Sequence, residues 1–157
     1  MGWWERDFIA DRVSLSDEVC RTFGLQPVDV PESHERWLDL IHPEDRATAA
    51  EAAADALCGG RRYDLEYRVI RPDGSIRTVH SQGDVTWDES GRPLRQFGVL
   101  QDITELRLVE NDLRASQARF RTFVDHATDA FFLHDEELTV IDVNQKPAKA
   151  SAIPVTS

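Results

Sequence analysis

The 157 residues carry a net charge of -11, with 41% hydrophobic and 30% charged side chains. That balance reads as one globular domain of ordinary size plus an appendage. The acidic surface argues against nucleic acid and against anionic membrane as partners. Two cysteines, Cys20 and Cys58, stand without a C-x-x-C pair or a Cys/His cluster, which argues against a zinc site and against a disulfide framework. No apolar run approaches the roughly 18 residues that cross a bilayer, and MGWWERDF lacks the apolar core of a signal peptide. The expectation is a reducing, cytoplasmic setting with no direct membrane insertion.

In chain order, Trp3 to Phe8 is an aromatic run with strand character, and Arg12 to Ser16 alternates as a second strand. Ser16 followed by Asp17 and Glu18 is a helix N-cap signal, with Val19, Cys20 and Phe23 on one face and Gly24 as the stop. Leu25 to Ser33, with Pro27 and Pro31, is a loop. His34 to Ile41 places Trp37, Leu38 and Ile41 on one helical face. His42-Pro43-Glu44-Asp45 is expected to restart the helix with Pro43 in its first turn, and the alanine-rich stretch to Leu57 continues it as far as Gly59-Gly60.

From Arg62 the hydrophobic period changes to two. Tyr63, Leu65, Tyr67 and Val69 mark a half-buried strand. Pro72-Asp73-Gly74 is turn chemistry, Ile76 to Trp87 a second strand, Asp88 to Gly91 another turn, and Leu94 to Gln101 a third strand. These three strands read as an antiparallel meander. In the last, Phe97 and Val99 point one way and Leu94 and Leu100 the other, so both faces need cover. The chain then turns at Asp102, Ile103, Thr104 and Glu105 into a helix whose Leu106, Val109, Leu113, Ser116, Phe120 and Phe123 recur at spacings of three and four. That stripe suits either a dimer seam or packing against the domain's own sheet.

Several pieces, taken together and in this order, resemble the PAS fold with an attached C-terminal PAC motif. They are Phe23-Gly24-Leu25, Trp37-Leu38 ahead of Ile41-His42-Pro43-Glu44-Asp45-Arg46, Tyr63 to Arg68, Arg71-Pro72-Asp73-Gly74-Ser75, and Gly98 to Glu105. The resemblance implies an α+β fold, with a five-stranded antiparallel sheet, helices on one of its faces, and a C-terminal amphipathic linker helix. It implies a non-catalytic sensory and dimerisation module of a bacterial sensor kinase or cyclic-dinucleotide enzyme, working as a homodimer upstream of a kinase or cyclase domain. Residues 1–105 would be the sensory domain and 106–127 the signalling helix. Residues 128–157 would be a partial second PAS domain or a disordered tail, with strands at Ala130 to Asp135 and Thr139 to Asn144. Asp102, Ile103, Thr104 and Glu105 would couple the sheet to the helix.

An interior of this kind either is filled or holds a small ligand. Phe23, Trp37, Ile41, Leu57, Tyr67, Val79 and Leu100 are the candidates to line it. No cofactor is expected. A haem-binding relative would place a histidine on the long helix before the meander, and Arg46 to Leu57 has none. His42 reads as a cap beside Pro43, and His80 as a surface side chain. A flavin-reactive thiol would sit in an Asn-Cys-Arg motif, whereas Cys58 stands in Ala-Leu-Cys-Gly-Gly. Two rival functions stay open. One is a haem- or flavin-bearing redox or light sensor. The other is a small enzyme using an inward-facing carboxylate, although Asp102 and Glu105 have no nucleophile motif beside them.

Overall fold

The computed structural model describes residues 1–126, 132–134 and 140–143. The chain divides into two compact units, residues 1–107 and 108–157. In the first, β1 (Gly2–Asp7) and β2 (Arg12–Leu15) form a hairpin, followed by helices α1 (Asp17–Phe23), α2 (His34–Leu40) and α3 (Arg46–Leu57). Next come β3 (Tyr63–Ile70), β4 (Ile76–Trp87) and β5 (Pro93–Asp102), and the first turn of α4 (Thr104–Asp125). The five strands make one antiparallel sheet in the order β2-β1-β5-β4-β3. This is the expected α+β architecture. The β1–β5 pairing, with Trp4 opposite Gly98 and Arg6 opposite Gln96, joins the hairpin to the meander across most of the domain.

Local chemistry explains most boundaries. The Ser16 hydroxyl accepts the Val19 N–H at 3.4 Å and the Trp3 N–H at 3.0 Å, capping α1 and tying it to β1. Gly24 ends α1 in the left-handed region with φ 68. Ser33 caps α2 by accepting the Arg36 N–H. At both meander turns an aspartate folds back on its own loop. Asp73 accepts from the N–H and hydroxyl of Ser75, and Asp88 from Ser90 and from the Arg92 N–H.

One boundary differs from expectation. The helix does not restart at Pro43. Residues 43–45 form a turn and α3 begins at Arg46. The reason lies in Asp45, whose carboxylate makes no cap. It accepts the Arg68 backbone N–H at 2.8 Å and two guanidinium N–H groups of Arg68 at 3.0 and 2.7 Å. The turn is thereby pinned to the free edge of β3, where His42 N–H also donates to Arg68 O and Ile41 bridges Val69. An otherwise open sheet edge is covered.

The inner face of the sheet meets α1, α2 and α3. Its core joins Val19 and Phe23 of α1, Ile41, Ala49 of α3, and Tyr67, Val69, Val79 and Leu100 of the strands. The Phe23 and Trp37 rings lie 4.8 Å apart. Strand alternation behaves as expected on β5: Leu100 is 2% exposed, while Phe97 and Val99 on the outer face are 41% and 39% exposed. Gly83 and Gly98 face each other across β4 and β5. A Cβ on Gly83 would come within 2.8 Å of Trp4 Cζ2, so the glycine makes room for the Trp4 indole, which meets the Tyr63 ring edge-on at 5.6 Å.

The second unit holds the remainder of α4 and an antiparallel pair, β6 (Phe132–His134) and β7 (Val140–Val143), with Phe132 opposite Val143. The other residues of the two expected strands, and the tail from 144 to 157, lie outside the described residues, as does any further domain there.

Candidate functional site

Two features of the first unit carry functional geometry: an interior cavity and the junction between sheet and exit helix. The cavity has a volume of about 40 Å³, room for two or three waters. Its floor is Trp4 and Arg6 of β1, Val13 and Leu15 of β2, and Gln96 of β5. His34, Trp37 and Leu38 of α2, with Ile41, close it from above. Ala49 and Ala53 of α3 form a wall whose short side chains leave the space, and Tyr63, Tyr67 and Ser81 complete the far side.

Of the lining expected from sequence, Trp37, Ile41 and Tyr67 meet this cavity. Phe23, Val79 and Leu100 are instead packed solid in the neighbouring core, and Leu57 is half-buried at the end of α3, off the lining. The polar members went unseen in sequence: Trp4, Arg6, His34, Ser81 and Gln96. Parity was the available signal. Arg6 sits two residues from Trp4 on β1, and Gln96 shares its face with Leu100 on β5, so both side chains point inward.

The electrostatics of this lining are one-sided. No Asp or Glu belongs to it. Trp4 Nε1 and Gln96 Nε2 are both buried, and neither has a hydrogen-bond partner among the described residues. Leaving a buried donor unmet costs about 1–3 kcal/mol, so two on one cavity need an explanation. Arg6 stacks its guanidinium on the Phe8 ring at 4.5 Å. Burial lowers its pKa, only partly opposed by Asp11. Burial, aided by the Arg6 charge, pushes His34 down to about 4, so the imidazole is neutral at physiological pH. Burial likewise pushes Tyr63 up to about 12 and Tyr67 well above the usual phenol range.

At the junction, Ile103 is a buried anchor, and its N–H donates to Thr78 O at 2.9 Å. The Thr104 hydroxyl accepts the Thr78 N–H at 2.9 Å and donates to Asp102 Oδ1 at 2.5 Å, which also accepts the Thr104 N–H at 3.0 Å. Arg77 lies 3.8 Å from the other Asp102 oxygen. One turn on, the Arg107 guanidinium pairs with the Glu66 carboxylate on β3. Asp102, Ile103 and Thr104 are thus brought together and bound to β4, while Glu105 is exposed in the first turn, where its charge suits the helix dipole. Beyond, Leu106, Val109, Leu113, Phe120 and Phe123 are each more than half exposed, and Ser116 is exposed too.

The remaining candidates are ordinary. His42 Nδ1 accepts the Glu44 N–H at 3.3 Å, a turn contact. His80 pairs with Asp64 on the outer face at 2.7 Å. Among the described residues no group of His, Cys, Asp and Glu has metal-site geometry, and no helix is long and apolar enough to cross a membrane.

A family model described as PAS fold matches residues 12–100, more than half of the chain. The chain belongs to the PAS family. The curated relatives include blue-light-activated histidine kinases of Brucella anthropi, 30% identical over 112 residues, and of Brucella ovis, 33% identical over 110. The alignments cover 71% and 70% of this chain but only 22% of each relative. Among solved structures, a sensory box histidine kinase/response regulator from Burkholderia thailandensis superposes with a TM-score of 0.65 at 30% identity, over 77% of this chain and 90% of that one. The N-terminal domain of a diguanylate cyclase with PAS/PAC sensor from Marinobacter aquaeolei gives 0.60 at 21% identity, over 68% and 97%, which speaks for the fold. A flavin does not fit this PAS interior. Its volume is far below the roughly 300 Å³ at which ligand pockets of drug size begin, no cysteine lines it, Cys58 is exposed, and Cys20 is buried in α1.

Proposed function

We propose that this PAS domain is a non-catalytic, cytoplasmic sensory and dimerisation module of a bacterial signalling protein, placed upstream of a kinase or cyclase effector. The observation that carries the reading is the clamp of Thr104 between Thr78 and Asp102. It makes the exit helix start from the sheet without slack. Tyr67, on the cavity, lies directly opposite Val79 on β4, the residue after Thr78. A change in the interior that moves Tyr67 therefore displaces the strand whose backbone holds Thr104. The bias required is small, since couplings between sites run to about 1–3 kcal/mol.

The readout is α4. Its exposed stripe of Leu106, Val109, Leu113, Phe120 and Phe123 is the seam through which two copies pair, and a shift at Thr104 reorients that seam. Light scattering tests the pairing: Leu113→Asp and Phe120→Asp should each halve the particle mass, and an unchanged mass would remove the seam.

The relatives' names raise photoreception as a second reading. The small cavity and the distant thiols weigh against it, and a colourless protein purified from flavin-replete cells is the expected result. Against the enzyme reading, no Asp or Glu among the described residues lines the cavity, and the described carboxylates with displaced titration, Asp7, Asp45, Asp64, Asp73 and Asp88, all move down.

A further inference from the structure

We propose that the cavity between β1, β5 and α2 binds a short-chain monocarboxylate, its two oxygens held by Trp4, Arg6 and Gln96 and its tail by the apolar part of the lining. The inference rests on the sensory reading above and names the chemical class of what is sensed.

The three residues are neighbours by construction. Trp4 and Arg6 stand two residues apart on β1, and Gln96 lies directly opposite Arg6 on β5. An indole N–H can only donate, so Trp4 Nε1 needs an acceptor, and nothing among the described residues supplies one. Gln96 is 3% exposed with its Nε2 equally unmet. The Arg6 guanidinium makes no ion pair with a carboxylate among the described residues, and it is a fork suited to a planar two-oxygen anion.

Charge and size narrow the class. With no acid on the lining and His34 neutral beside it, Arg6 supplies the one positive charge, which Asp11 off the lining opposes only in part. That matches a monoanion and leaves a phosphate dianion undercompensated. A primary amide brings one acceptor oxygen in place of two and no charge to meet Arg6. About 40 Å³ admits a carboxylate with a tail of only a few carbons, since it equals two or three waters. The tail would meet Val13, Leu15, Leu38 and Ile41, where an apolar chain gains burial.

Calorimetric titration of the whole chain with acetate, propionate and butyrate at neutral pH tests this, with propionamide and nitrate as controls. Propionate should bind at least about tenfold more tightly than propionamide or nitrate, a difference of about 1.4 kcal/mol. Arg6→Met and Gln96→Leu should each weaken propionate by about tenfold or more, and Gln96→Leu should do so while unfolding at the wild-type temperature or above. Trp4→Phe, which removes the indole N–H, should likewise weaken propionate by about tenfold or more. Three results overturn the assignment: no carboxylate binding, which leaves the donors to water; propionamide binding as well as propionate; or wild-type affinity in Gln96→Leu. None of these touches the relay through Thr104, which is read on α4 without added ligand.

Discussion

Around Val69, Val79 and Leu100 the inner face of the sheet is closed by Phe23, Val19 and Ile41, none with more than 2% exposure. Farther along the same face, around Trp4, Arg6 and Gln96, space remains, two buried donors have no partner among the described residues, and Asp11 opposes the Arg6 charge only in part. One sheet thus carries two kinds of interior. The first is optimised as packing, with apolar atoms matched to apolar atoms. The second gives up satisfied hydrogen bonds, which a domain selected only for stability has no reason to do. Stability and recognition are divided between the two ends, and the strand that passes through both, β5, ends at the junction with α4.

The contrast predicts opposite signs for substitutions at the two ends. Phe23→Ala, in the closed end, should cost about 3–5 kcal/mol in urea unfolding. A loss under about 1 kcal/mol would mean that this end is not the packed core. At the junction, Thr104→Val leaves the Thr78 N–H without its acceptor and should cost about 1–3 kcal/mol. Gln96→Leu, in the open end, removes an unmet donor and should be neutral or stabilising by up to about 1 kcal/mol; a clear loss would show that Gln96 is satisfied after all.

The smallest effect is one of pH. His34 titrates at about 4 in the folded chain, below its value of 6.5 when unfolded. Between those values the unfolded state binds more protons, so stability is full above about 6.5 and falls as pH drops toward about 4. His34 is only partly buried, so the loss should stay below about 1 kcal/mol. His34→Asn should flatten that part of the stability–pH curve, and an unaltered slope would place its origin elsewhere.

The sheet was legible because its signals are local. Alternation from Tyr63 to Val69 and in Phe97, Val99 and Leu100 fixed the faces, and the aspartate–glycine turns fixed the meander. The PAS resemblance followed from those pieces in order. The start of α3 was misplaced because Asp45 spends its carboxylate on Arg68, a strand residue 23 positions away, where no sequence window reaches. The cavity was half legible for the same reason. Aromatic and aliphatic candidates could be named, and Trp37, Ile41 and Tyr67 do line it. Arg6 and Gln96 contradict the rule that polar residues face outward, and only the β1–β5 register brings them together. Asp102, Ile103 and Thr104 were visible as helix-start chemistry, while the partner that makes them a clamp, Thr78, was not.

The most direct test of the relay is amide exchange on α4 in a double-mutant cycle. Ala53→Val fills the cavity from α3, Thr104→Ala loosens the clamp, and the two are combined. The account predicts that Ala53→Val alone changes protection over residues 104–113 by about fivefold or more, equivalent to about 1 kcal/mol of coupling, and that the change vanishes in the Thr104→Ala background. Equal changes in both backgrounds, or none in either, would contradict it.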